Sequence, residues 1–284
     1  MNTPRISASS YSNTAPLVWS FLYGKDRGTA ELILDTAPAR SAELLMQDRV
    51  DAALVPVIAY QMIEGVRMVL DICVGARKRV RSVCLITNGQ DLSDVRSVSL
   101  DVSSRTSVVL TKIIFREFLG FEPVWSNAVP DIGQMLAEAD AALVIGDPAL
   151  RLSAAGDTPL KVFDLAELWH QHTGLGFVFA MWMTRRENIS IDLAAARDEG
   201  LRHIGDIAAN YASDTGLSRD GNATLSNRKY LVFDRRFNAA GPRPLFSACR
   251  PTSPDPTLRG VAIYLSKIRF YLSTLAVAVK KSAV

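Results

Sequence analysis

The sequence predicts an α/β protein built from two open, largely parallel sheets. Three observations predict it. Short apolar or β-branched runs alternate along the chain with helical patterns, the mark of strands joined by covering helices. Several runs, such as Ala52-Ala53-Leu54-Val55 and Ala141-Ala142-Leu143-Val144-Ile145, are apolar on both faces. Strands covered by helices on both sides read this way. Two phrases also nearly repeat: Asp51 to Pro56 and Asp140 to Ile145 each run Asp, a small pair, then an apolar strand. That repetition points to two half-domains of similar build, each offering a strand end and a helix start to a shared cleft. Ligands of open α/β sheets sit beyond the carboxyl ends of the strands.

The elements follow in order. A strand at 5–9 leads through a polar turn to a helix at 15–23, with Pro16 at an early helical position where its missing N–H does no harm. A strand at 30–34 precedes a helix at 39–48, and a strand at 52–56 precedes a short helix at 57–63. Strands at 68–74 and 80–87 come next. A β-branched run at 95–101 stops at a hydroxyl cluster, and a helical pattern then runs from 106 to 119. A helix at 132–137, a strand at 141–145 and a helix at 147–153 complete the second half. A strand at 177–183 and one long amphipathic helix at 191–211 follow. Residues 219–258 lack periodicity and are rich in breakers, which reads as an irregular segment. Residues 261–279 are apolar enough for a packed terminal helix.

Composition narrows the classes. The chain has 284 residues, 48% hydrophobic and 21% charged, an ordinary globular balance. Net charge is +3, but from Arg219 onward 12 Lys and Arg stand against 3 Asp. No aromatic-interleaved basic motif accompanies that tail, so it reads as a solvated surface and not as a nucleic-acid site. The cysteines, Cys73, Cys84 and Cys249, are widely spaced, with no C-x-x-C pair to suggest a disulfide framework or zinc knuckle. Cys73 and Cys84 sit in apolar runs as small core residues. The first residues carry no apolar leader and no run reaches the length of a membrane span, so a cytoplasmic protein without membrane contact is expected.

Candidate chemistry lies at strand-to-helix junctions. Ser103, Ser104, Thr106 and Ser107 put four hydroxyls in five residues around Arg105. A helix start there offers unpaired N–H groups and partial positive charge to a carboxylate or phosphate. The same pattern also suits an ordinary N-cap; the density of hydroxyls favours the anion site. Asn13 lies at the first junction, where its amide can both donate and accept, and Asn13 or Thr14 would equally serve as a cap. Arg81 and Ser82 set a cation and a hydroxyl at the start of a buried strand, or decorate its edge. Asp147 opens a helix directly after Gly146, as a cap, a pocket carboxylate or both. Thr173 and Gly174 stand where the backbone could approach a ligand or simply turn into a strand. His170 and His172 are spaced i, i+2 and face apart on a helix, and no acidic or Cys partners stand at metal spacing, so no metal is expected. Hydroxyls, amides and backbone donors with few strong bases suit a small, multiply anionic molecule.

In combination these segments resemble one family. Ser10 to Leu17 looks like its Tyr-Leu-Asn-Thr-x-Pro-Leu start. Asp51 to Pro56, Arg81-Ser82-Val83-x-Leu85, Asp101-x-x-Ser104-Arg105-Thr106-Ser107, Ile145-Gly146-Asp147-x-Ala149-Leu150 and Trp169-x-x-x-Thr173-Gly174-x-x-Phe177-Val178-Phe179-Ala180-x-Trp182 match further blocks in order. The family is the chorismate dehydratases of the futalosine route to menaquinone, and the resemblance covers about residues 5 to 215. It departs at Ser12, where the family usually has Leu, and at Gly176, where it usually has Pro. Residues 219–258 have no counterpart, whereas Tyr264 to Leu272 looks like the family's late helix.

The resemblance implies a two-lobed type II periplasmic-binding-protein-like fold, with two hinge-crossing strands and a ligand cleft between the lobes. Residues 1–87 and 178–284 would form one lobe and 88–177 the other. It implies loss of water from chorismate to give 3-[(1-carboxyvinyl)oxy]benzoate, with no cofactor, by a monomer or homodimer. Asn13 and Ser82 would be catalytic. Ser104, Arg105, Thr106 and Ser107 would bind a carboxylate, and Thr14, Asp147, Thr173 and Gly174 would complete the substrate site. A solute-binding protein for a small carboxylate shares the clamshell but normally carries an export signal. The sibling 1,4-dihydroxy-6-naphthoate synthase has a Ser-Pro-Cys-Pro-Asn-like start, absent here. A LysR-type effector domain would need a helix-turn-helix ahead of residue 5.

Overall fold

The computed structural model describes residues 3–154, 159–215 and 231–232. The chain divides into a unit of Met1–Phe233 and a second of Asp234–Val284, and every described residue belongs to the first. The expected terminal helix at 261–279 lies outside the described residues, as does all of 219–258 except Leu231–Val232.

Two sheets form the two lobes. The first contains β1 (Arg5–Ser9), β2 (Glu31–Asp35), β3 (Ala52–Pro56), β4 (Arg67–Ala76), β10 (Phe177–Thr184) and β11 (Leu231–Val232), in the order β11-β4-β10-β3-β1-β2. The second contains β5 (Val83–Thr87), β6 (Ser97–Asp101), β7 (Val124–Ala128), β8 (Ala141–Ile145) and β9 (Lys161–Asp164), in the order β7-β6-β8-β5-β9. Each sheet has a parallel trio, β2-β1-β3 or β7-β6-β8, flanked by an antiparallel strand contributed from across the hinge, β10 or β5. A boundary at residue 87 would leave β5 with the first sheet. Its hydrogen bonds to β8 and β9 place it in the second, so the chain crosses between Ala76 and Val83.

The repeated Asp phrase has a structural meaning. Asp51 Oδ2 accepts the Arg5 N–H at 2.8 Å, at the start of β1. Asp140 Oδ2 accepts the N–H groups of Arg96 and Ser97 at 2.9 Å each, at the start of β6. In both lobes an Asp ahead of the third parallel strand thus pins the first one beside it. Val98 then pairs with Ala141 as Ile6 pairs with Ala52. Both β3 and β8 are buried along their whole length.

Helices cover the sheets: α1 (Ala15–Tyr23), α2 (Pro38–Met46), α3 (Ala59–Met62), α4 (Thr106–Ile113), α5 (Ile132–Glu138), α6 (Asp147–Ala154), α7 (Leu165–Thr173), α8 (Leu193–Arg202) and α9 (Ile204–Thr215). The core of the first lobe joins Ile6, Leu17, Phe21, Leu54, Ile72 and Trp182; that of the second joins Cys84, Ile86, Met135, Ala142 and Val144. Cys73 and Cys84 are both buried, and neither is in a disulfide. The pattern at 106–119 is helical throughout, but its last turns, Ile114–Leu119, widen to a π-helix that ends at Gly120 in the left-handed region, φ 79°. The single helix expected at 191–211 is two. His203 separates them, its ring stacked on Trp19 at 3.8 Å and its Nδ1 2.8 Å from Asp206. Gly200 allows α8 to press on α1: a Cβ there would lie 1.9 Å from the Pro16 carbonyl oxygen. No helix among the described residues is long and apolar enough to cross a membrane.

Candidate active site

The carboxyl ends of β1, β3, β6 and β8 face one another across the hinge, and the loops they feed carry the polar residues. After β1, Ser10 N–H donates to Asp35 O at 2.9 Å and Thr14 N–H to Tyr11 O at 3.0 Å. Thr14 is buried, and its hydroxyl reaches back to Ser9 O at 2.5 Å and Tyr11 O at 2.8 Å. It occupies the N-cap position of α1 without capping the helix by its side chain; it knots the loop. That knot aims Asn13 at the hinge. Asn13 Nδ2 lies 3.4 Å from Ser82 Oγ, and Asn13 Oδ1 is a buried oxygen with no hydrogen-bond partner. Ser82 is fully buried, and its carbonyl accepts the Gly146 N–H at 2.7 Å.

The second lobe presents the start of α4. Asp101 Oδ1 gathers the N–H and hydroxyl of Ser103 at 2.8 and 2.6 Å, and Ser104 N–H donates to Asp101 O at 3.1 Å. This turn brings α4 in with Arg105 at its N-cap and no side-chain cap on its first N–H groups. Ser104, Thr106 and Ser107 are buried beside that end. Thr106 Oγ1 lies 3.4 Å from the Ile58 N–H of the first lobe. Arg105 points outward, half exposed, with a guanidinium nitrogen 4.0 Å from Glu43 on α2. From α6, Asp147 Oδ1 accepts the Ser12 hydroxyl at 2.6 Å. One interface between the lobes therefore gathers an amide, buried hydroxyls, an uncapped helix start and a carboxylate.

A family model described as menaquinone biosynthesis matches residues 4–232. The chorismate dehydratase of Thermus thermophilus is 33% identical over 227 residues, 73% of this chain and 81% of that protein. The chain belongs to the chorismate dehydratase family. The chorismate dehydratase of Campylobacter jejuni is 32% identical over 143 residues, 50% of this chain and 49% of that one. Among solved structures, a protein of Archaeoglobus fulgidus superposes with a TM-score of 0.62 at 18% identity, covering 94% of this chain and 98% of that one. The periplasmic aliphatic sulphonate-binding protein SsuA of Escherichia coli gives 0.54 at 15% identity, covering 80% and 78%. These likenesses show the fold, which is the two-lobed type II arrangement.

Within this chorismate dehydratase family member, sequence reasoning missed Tyr11. Its ring lies over Gly146, whose φ of 70° suits glycine and where a Cβ would stand 2.9 Å from Tyr11 Cε1. Burial raises the Tyr11 phenol above its usual value, a hydrogen bond with the Ser103 side chain opposes this, and the charges of Asp101, Asp147 and Asp35 add to the rise. The phenol is thus a neutral link between the two lobes. The signal in the sequence was an aromatic residue set among small polar ones in the loop after β1. Ser12, where the family usually has Leu, supplies a second cross-lobe bond through Asp147.

Thr173 and Gly174 stand apart from the cluster by their bonding. Thr173 Oγ1 donates to Trp169 O at 2.7 Å and accepts the Leu175 N–H at 3.1 Å. Gly174, φ 72°, closes α7 with its N–H on His170 O at 2.8 Å. Both finish the helix, and neither is hydrogen-bonded to Asn13, Ser82 or Thr106. His170 Nδ1 lies 3.2 Å from Leu175 O, and His172 stacks on Phe118.

Proposed function

We propose that this chain is a hydro-lyase that removes water from chorismate to give 3-[(1-carboxyvinyl)oxy]benzoate. The observation that carries the reading is the Asn13–Ser82 pair. A buried amide oxygen without a donor costs about 1–3 kcal/mol, and Asn13 Oδ1 is one. A substrate hydroxyl would satisfy it. Across the cleft, the uncapped start of α4 with Ser104, Thr106 and Ser107 suits a carboxylate, and such a helix end contributes about 0.3–1 kcal/mol, up to ~2 when partly buried. Arg105 adds a cation at the rim. Thr14 shapes the loop that presents Asn13, Asp147 fixes the same loop from the other lobe, and Thr173 and Gly174 set the chain entering β10.

The reaction breaks a ring C–H bond and the bond to the ring hydroxyl. The C–H electron pair completes the aromatic ring, and the proton and hydroxide leave as water. Aromatisation drives the overall change, so the task of the protein is orientation and charge stabilisation. A well-oriented intramolecular proton transfer can lower a barrier by about 7–11 kcal/mol. In this reading a carboxylate of the substrate takes the proton, and Ser82 and Asn13 stabilise the departing hydroxyl. The protein works in the cytoplasm as a monomer or homodimer on this small molecule alone.

The test is incubation of purified protein with chorismate and chromatography of the products. The aromatic ether is expected from the native chain. Asn13→Ala and Ser82→Ala should each lower kcat by about 10²-fold or more, the usual effect of removing one preorganised donor. Undiminished rates in both variants would remove these residues from the chemistry. Binding without conversion would favour a solute-binding role like that of the sulphonate-binding protein SsuA, which shares this fold.

A further inference from the structure

We infer that Asp164 is a positioning residue for Ser82, acting through the backbone of Arg81; the inference rests on the dehydratase reading above. Asp164 ends β9, on the opposite side of β5 from β8. It is 3% exposed and ties two pieces of chain with its two oxygens. Oδ1 accepts the N–H groups of Ala166 and Glu167 at 2.9 and 3.1 Å, which caps α7. Oδ2 accepts the N–H groups of Val80 at 2.9 Å and Arg81 at 2.6 Å, on the hinge.

The hinge residue it grips is unusual. Arg81 has φ 61°, one of two described non-glycine residues at positive φ. A side chain there crowds the backbone, and such a conformation persists only where surrounding bonds enforce it. The bonds that enforce it include those from Asp164 and that of the Arg81 carbonyl, which accepts the Cys84 Sγ–H at 3.4 Å. Immediately after this forced turn comes Ser82, buried, facing Asn13 Nδ2 and holding Gly146 N–H by its carbonyl. Relaxation of Arg81 to negative φ would rotate the following peptide and swing Ser82 Oγ from its place. Asp164 thus aims a residue it does not touch.

The two oxygens make the inference separable from mere folding. Asp164→Asn retains one carbonyl oxygen, and Asn caps helices as well as Asp does. Its amide then faces the Val80 and Arg81 N–H groups, donor against donor, so the cap stays and the hinge clamp goes. Displacement of a reacting group by about 1 Å can lower a rate about 10²-fold. Asp164→Asn should therefore lower kcat for chorismate on the order of 10- to 100-fold, with KM within about twofold. Glycine adopts positive φ without help, so the same Asp164→Asn step in an Arg81→Gly background should lower kcat by less than about threefold. Equal losses in the two backgrounds, or a native-like kcat for Asp164→Asn, would overturn the inference. Should Asp164→Asn fail to fold, Arg81→Val decides: β-branching disfavours the left-handed turn while Asp164 stays, and kcat must fall with KM held. An unchanged kcat there overturns the inference. Amide hydrogen exchange gives a readout independent of turnover. In Asp164→Asn the Arg81 N–H should exchange faster while those of Ala166 and Glu167 keep their protection. If the native chain leaves chorismate unchanged, the dehydratase reading falls, and the exchange pattern alone decides whether the clamp exists; unaltered exchange at Arg81 refutes it.

Discussion

Gly146→Ala strikes a point where the two lobes meet, under the ring of Tyr11. Alanine at φ 70° meets a backbone cost of about 1–2 kcal/mol. Its Cβ would also stand 2.9, 3.0 and 3.1 Å from Cε1, Cζ and Cδ1 of Tyr11. Overpacking of this kind costs about 1–3 kcal/mol more. The backbone cannot simply retreat, because Gly146 N–H is bound to Ser82 O at 2.7 Å. Gly120 supplies the control: its φ is 79° and nothing lies within 4 Å of the added Cβ, so Gly120→Ala meets only the first cost. Tyr11 and Gly146 belong to opposite lobes, so the second cost is relieved either by unfolding or by opening the cleft. If it opens the cleft, 1–3 kcal/mol raises KM for chorismate by about 5- to 150-fold. If it does not, the melting temperature falls below that of Gly120→Ala by about 2–4 °C per kcal/mol. Initial-rate kinetics and calorimetry on both variants read the two routes. Tyr11→Ala removes the obstacle and should abolish the difference. A Gly146→Ala protein matching Gly120→Ala in both melting temperature and KM would refute the closed contact between Tyr11 and the second lobe.

Other substitutions test the remaining parts. Thr106→Val keeps the side-chain shape and loses the hydroxyl at the α4 start; a neutral hydrogen bond of about 0.5–1.5 kcal/mol predicts a KM about 2- to 12-fold higher in steady-state kinetics. Arg105 is half exposed, so Arg105→Ala should raise KM by no more than about fivefold at low salt. That effect should fade as ionic strength rises and the rim charge is screened. The Arg96 N–H, first, and then the Ser97 hydroxyl and N–H hold the Asp140 carboxyl below its usual value against the opposing effect of burial. A depressed carboxyl stabilises the fold above its unfolded value, about 3.9, and that stability is lost as pH falls through the lower, folded value. Acid titration of unfolding should show a flatter loss below about pH 3.9 in Asp140→Asn than in the native chain.

Much of the architecture was legible because burial on both faces leaves a plain mark. The strands β3 and β8 are apolar at every position, and their bounds in the sequence match their bounds in the structure. Edge strands leave no such mark. In β7, Val124-Trp125-Ser126-Asn127-Ala128 is largely exposed, and β9 is four residues long, so neither stood out. The helix α7 was hidden because its cap, Asp164, is also the last residue of a strand. The break at His203 depends on Trp19, a partner far away in sequence. The site divides in the same way. Asn13, Ser82 and Thr106 were visible as polar residues at junctions, a local property. Tyr11 over Gly146 and Asp164 on Arg81 are contacts between distant segments; the local sequence marks Tyr11 as an aromatic among small polar residues but does not give its partner.

The most direct measurement follows chorismate and its aromatic ether together in one reaction with the purified native chain. Stoichiometric appearance of the ether as chorismate disappears, at a rate proportional to protein, is what the cleft should produce. Chorismate that is bound yet recovered intact would contradict the account.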